Sequence, residues 1–149
     1  MRWTIGPIGL CIFLSACGPP VVSHQQTAGE PILKATDLAP IAAQYRGILS
    51  TDQELRSAFT GFSEIVPRVG LGGDAEAQLS VDGKAWSEMT RAQRDRLVKK
   101  AAVTFTDLFH VQTPRIAVVS VFLVDDLRTR VGWFNATNRG DFSYRLYNP

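Results

Sequence analysis

Apolar residues recur along this chain at three spacings, and each spacing predicts a kind of element. Leu38, Ile41, Ala42, Tyr45, Ile48 and Leu49 follow the i, i+3, i+4, i+7 pattern of one helix face. Pro40 is tolerated in the first turn of such a helix, and Gly47 weakens its end. Leu55, Ala58, Phe59, Phe62, Ile65 and Val66 repeat the pattern behind the capping-box letters Thr51-x-x-Glu54. A second helix is therefore predicted from Ser50 or Thr51 up to Pro67, which stops it. The glycines of Val69-Gly70-Leu71-Gly72-Gly73 then make a loop.

The period next drops to two. Ala77, Leu79 and Val81 alternate with Gln78 and Ser80, a half-buried strand ended by Asp82-Gly83. A third helix is the best marked element of the chain. Thr90-x-x-Gln93 is a capping box, and Leu97, Val98, Ala101, Ala102, Phe105, Leu108 and Phe109 make one stripe from about Arg91 to Phe109. Trp86 and Met89 are placed to pack where this helix begins.

Ile116 to Val124 is nearly continuously apolar, as a central strand is. Val131-Gly132-Trp133-Phe134 and the alternating Phe142, Tyr144 and Leu146 complete three closing strands. Asp125-Asp126-Leu127-Arg128 and Asn138-Arg139-Gly140-Asp141 supply the turns between them. The predicted order is α-α-β-α-β-β-β. Short loops favour antiparallel neighbours, so the expectation is an α+β fold: an antiparallel sheet of about four strands with helices packed on one face.

The first residues follow a different logic. Arg2 is the only charge before Glu30, and the apolar run Ile5 to Leu14 is shorter than the roughly 20 residues of a spanning helix. Leu14-Ser15-Ala16-Cys17 ends that run and resembles the lipobox of bacterial lipoproteins. The resemblance covers the first 17 residues. It implies cleavage after Ala16 and lipid on Cys17, the acyl chains (palmitate among them) holding the protein on a membrane. Gly18, where an aspartate would favour retention at the inner membrane, points to the outer membrane facing the periplasm. The expected organisation is a signal peptide over 1–16, a lipidated cysteine and flexible tether over 17–36, and one α+β domain over 37–149. Pro19-Pro20 and the aperiodic Ser, Gln and Gly that follow carry the tether reading.

Composition then removes several kinds of chemistry. Cys11 leaves with the signal and Cys17 is taken by lipid, so the mature domain holds no thiol and must rest on its own core. His24 and His110 stand alone, without partners at ligand spacing, so neither a metal nor a cofactor is expected. No Gly-x-Ser-x-Gly or serine–histidine arrangement stands out, and no catalytic residue is assigned. A formal charge of +2, with signs interspersed, argues against nucleic acid, and export argues against it further. Asn135-Ala136-Thr137 and Arg139-Gly140-Asp141 match recognition motifs, but read as strand and turn.

Arg94 is the one position that breaks the pattern. On a helical wheel it falls near the centre of the stripe from Leu97 to Phe109, where an unpaired charge is costly. The basic run Arg94, Arg96, Lys99 and Lys100 otherwise reads as a solvated face. Two outcomes are open for Arg94: its stem snorkels to water, or its guanidinium turns inward to Asp125 or Asp126 as a buried ion pair or binding point. Two functions fit the whole. One is a lipid-anchored interaction or assembly module with a protein partner in the envelope. The other is a carrier of a small apolar ligand, since the element order loosely resembles the cone-shaped nuclear-transport-factor-2-like superfamily. An enclosed pocket inside the sheet would favour the carrier. An exposed patch of Trp133, Phe134 and Tyr147 would favour a protein partner.

Overall fold

The structure is a computed structural model that describes residues 32–68 and 74–147. The signal, Cys17, most of the predicted tether and the loop Val69 to Gly73 lie outside the described residues. The elements are α1 (Ala35–Thr51), α2 (Gln53–Arg56), β1 (Phe59–Phe62), β2 (Val66–Pro67), β3 (Asp74–Val81), α3 (Gly83–Glu88), α4 (Arg91–Leu108), β4 (Val118–Val124), β5 (Arg130–Thr137) and β6 (Phe142–Leu146). Leu33 is 1% exposed, so the folded unit begins ahead of residue 37.

The fold is α+β, but its sheet is mixed and six-stranded. The strand order is β1-β3-β4-β5-β6, with β2 pairing the other end of β3. β3 and β4 run parallel, from Asp74↔Val118 to Ser80↔Val124, and every other pair is antiparallel. This corrects the expected antiparallel sheet. The reason lies in α4. Its 18 residues cover about 27 Å at 1.5 Å per residue. The eight residues of β3 cover about 26 Å at 3.3 Å each. The helix therefore returns the chain to the start of the sheet, and the next strand must run parallel to the last.

The second predicted helix is also corrected. α1 continues to Thr51, whose Oγ1 donates back to the Gly47 and Ile48 carbonyls. Asp52 is the cap instead, accepting from the Glu54 and Leu55 N–H groups, and α2 lasts four residues. Beyond it the chain is strand. A β-bulge between Phe59 and Gly61 places Phe59 and Phe62 on the same buried side. An inserted residue in a strand thus makes an i, i+3 spacing that imitates a helix face.

α4 matches its prediction. The Gln93 N–H donates to Thr90 Oγ1 at 3.3 Å and the Thr90 N–H to Gln93 Oε1 at 2.8 Å, so both halves of the capping box form. Leu97, Val98, Ala101, Ala102 and Phe105 are buried beneath it. α1 and α4 share one face of the sheet, and the space between is filled by aromatic rings. Phe105 meets Tyr45 edge-on at 5.1 Å, and Phe62 and Phe134 at 5.7 and 5.9 Å. The Tyr45 hydroxyl donates to the Ala101 carbonyl at 3.0 Å, and burial pushes its phenol well above the ordinary range. Among the described residues no helix packs on the other sheet face. There Phe122 and Trp133 pair across β4 and β5, half-buried, with the Arg130 guanidinium 4.0 Å over the Phe122 ring.

Candidate functional site

The parallel pair determines where chemistry can collect. β3 and β4 end side by side, and the chain leaves each through an acidic turn. After β3, Asp82 caps α3 by accepting the Ala85 N–H at 2.8 Å. After β4, Asp125 Oδ1 accepts the Leu127 and Thr129 N–H groups at 3.0 and 2.7 Å, closing a tight connection with Arg128 at φ 60°. The two turns are tied together. The Gly83 N–H donates to Asp126 Oδ2 at 2.9 Å, and a Cβ at residue 83 would stand 2.8 Å from that oxygen. Glycine is what lets the carboxylate approach.

Beside this junction lies a hollow of about 360 Å³, walled by Trp86, Ser87, Arg94, Asp125, Arg130, Val131 and Tyr147 among others. Tyr147 is held there by its N–H, which donates to the Val131 carbonyl at 3.0 Å. Arg94 and Asp125 therefore line one hollow, and Asp126 is bonded to the Gly83 that also lines it. Of the two outcomes open for Arg94, the buried ion pair is not the one formed. Arg94 is half-buried and donates from Nε to the Met89 carbonyl at 3.2 Å; no ion pair joins it to Asp125 or Asp126 among the described residues. Both aspartates already accept backbone N–H groups from their own turn or the adjoining one, a local arrangement that needs no long side chain ordered.

A second hollow, of about 510 Å³, runs between the end of α1 and the edge strand β1. Arg46, Leu49, Arg56, Phe59, Thr60 and Phe62 line it. Arg46 donates to the Phe62 carbonyl at 3.3 Å, so this carbonyl points away from β3. Its two Nη atoms also reach Glu64 Oε1 at 3.0 and 3.1 Å. β1 is the first strand in the sheet order, so one of its edges is not paired by another strand among the described residues.

The basic run on α4 is divided between solvent and structure. Lys100 Nζ lies 2.8 Å from Asp52 and 2.9 Å from Glu54, and Arg96 lies 2.7 Å from Glu54. These pairs bind α4 to the α1–α2 junction. The Lys100 ammonium, hydrogen-bonded to both, holds the Asp52 and Glu54 carboxyls below their ordinary values, and they hold Lys100 above its own. Sequence reading missed this network, although Asp52 and Glu54 before a basic helix were a signal for it.

The three aromatics proposed as a patch are separated. Phe134 is in the core, Trp133 is half-buried on the uncovered sheet face, and Tyr147 borders the hollow. Asn135-Ala136-Thr137 is strand, and Gly140 at φ 90° completes the turn after it. Among the described residues no group of three or more His, Cys, Asp or Glu side chains is placed to hold a metal, and no helix is long and apolar enough to cross a membrane. No family model, curated protein or solved structure matches this chain.

Proposed function

We propose that the protein is a lipid-anchored lipoprotein of the bacterial envelope, on the outer membrane facing the periplasm. Its folded unit serves as an interaction or assembly module that docks an extended segment of another envelope protein along β1. The letters Leu14-Ser15-Ala16-Cys17 support the anchor, and Gly18 the outer membrane. The observation that carries the docking is the groove beside an edge strand. In an extended strand the N–H and C=O of one residue point the same way, so the Phe62 N–H points outward beside the carbonyl that Arg46 reaches. Such an edge takes up a further strand by main-chain hydrogen bonds. Arg56, which also lines the groove, suits a segment carrying carboxylates.

The carrier reading asks for an apolar pocket between sheet and helices. Tyr45, Phe62, Phe105, Phe109 and Phe134 fill that space, which favours the module. One set of cells tests both parts. Cys17→Ser should leave unprocessed precursor or soluble protein, and mature-sized protein still floating with membranes would remove the anchor. A photo-crosslinking residue at Thr60 should give a discrete adduct, and one at the exposed Leu127 should not. No difference between the two positions would remove the docking.

A further inference from the structure

We propose that the hollow at the ends of β3 and β4 is a binding site for an amphipathic anion. Its apolar body would lie against Trp86, Val131 and Tyr147, and its acidic head on Arg94. This inference is independent of the β1 groove and rests on four observations. First, about 360 Å³ is within the size range of small-molecule sites. Second, Trp86, Val131 and Tyr147 give the hollow apolar walls. Third, Arg94 lines the hollow and uses only Nε within the protein. Its two Nη atoms have no partner among the described residues, and they form the edge of the guanidinium that grips a carboxylate, sulfonate or phosphate with two bonds. Fourth, the carboxylates beside the hollow are already engaged, Asp125 Oδ1 by the Leu127 and Thr129 N–H groups and Asp126 Oδ2 by the Gly83 N–H.

Arg46 in the other hollow is the contrast. That guanidinium touches a carbonyl and a carboxylate of its own chain, whereas Arg94 stands half-buried beside apolar walls with its best donors unused. A half-buried guanidinium gains most from an acceptor because water around it is already reduced.

The test uses the full chain carrying Cys17→Ser, so that no attached acyl chain competes. The probe is 8-anilinonaphthalene-1-sulfonate, an aromatic monoanion that fluoresces on leaving water. Its uncharged relative N-phenyl-1-naphthylamine serves as the comparison. The chain should bind the sulfonate at one site. Arg94→Met should weaken that affinity about tenfold or more, the loss expected for a charge-assisted pair. Arg94→Lys should recover part of it, and Lys99→Met, an equal loss of charge on the exposed side of α4, should leave it unchanged. The uncharged probe should bind the parent and Arg94→Met alike. Ser87→Trp, which fills the hollow from its rim, should abolish both signals. Displacement by dodecanoate would assign the body to an acyl chain, and displacement by 1-naphthoate alone to a soluble aromatic acid. The proposal is overturned if Arg94→Met and Lys99→Met bind the sulfonate equally, if its signal survives Ser87→Trp, or if the parent does not bind it.

Discussion

Two hollows on this molecule set an arginine against apolar walls, and only one of those arginines is occupied. At the β1 groove, the outward Phe62 carbonyl and Glu64 lie within reach of Arg46, which bonds to both. At the ends of β3 and β4, Asp125 shares the hollow with Arg94 and Asp126 is bonded at Gly83, and their oxygens serve the Leu127, Thr129 and Gly83 N–H groups. Opposite charges near each other are thus not a pair. Each carboxylate here already accepts a backbone N–H, Asp125 from its own turn and Asp126 from Gly83 in the adjoining one. Arg46 is thus engaged beside the β1 edge, whereas the two Nη atoms of Arg94 have no partner among the described residues.

Both hollows rest on one aromatic core, and removing its centre should damage them together. Phe105→Ala takes away the ring that touches Tyr45, Phe62, Phe109 and Phe134. The expected loss is about 3–5 kcal/mol of unfolding free energy. Denaturant unfolding of the unlipidated chain measures it, and a loss under about 1 kcal/mol would mean that the core collapses around the gap.

A smaller change should separate the two hollows. Gly132 sits where β5 meets β6, and a Cβ there would stand 2.7 Å from the Arg145 carbonyl oxygen and 3.0 Å from Leu146 Cδ2. Backbone must yield, so Gly132→Ala should cost about 1–3 kcal/mol. The shift falls beside Val131 and Tyr147, which wall one hollow, and far along the sheet order from β1. Sulfonate binding should therefore fall while crosslinking from Thr60 persists. Equal loss of both would show that the two hollows are coupled.

Acid should have the smallest effect, and on neither arginine. The Asp52 and Glu54 carboxyls are lowered from 3.8 and 4.5 in the folded chain. Their contribution is present above those values and lost as pH falls through the depressed folded ones. Lys100 is raised from 10.5, so its contribution is full below that value and lost as pH rises through the folded one. These groups are exposed and screened, so the effect is small. Asp52→Asn should flatten the acid limb of a melting-temperature profile, and an unchanged limb would place acid sensitivity elsewhere.

Much of this arrangement was legible in the residues. Arg94 could be marked because helical periodicity is reliable on α4, and Asp125-Asp126 because the turn follows a long apolar strand. The meeting of Arg94 and Asp125 at one hollow followed from those two readings. Their failure to pair did not, since it depends on turn geometry that spacing does not carry. The groove at β1 was hidden altogether, because its residues were read as the second helix.

The sequence by itself determined the elements whose signals are local. Thr90 and Gln93 set the start of α4, and the stripe from Leu97 to Phe105 set its buried face, because capping bonds and the 3.6-residue period act within one segment. Short turns likewise made β4, β5 and β6 antiparallel neighbours. Only the tertiary structure decided the rest. Residues 59–67 became edge strands because β3 was there to pair with them, and a bulge let strand burial follow a helix-like spacing. β3 and β4 became parallel because α4 spans the length of the sheet. Arg94 kept its donors because distant turns had satisfied the carboxylates around it. Pairing, register and the use of each donor depend on groups far apart in the chain, and no local pattern encodes them.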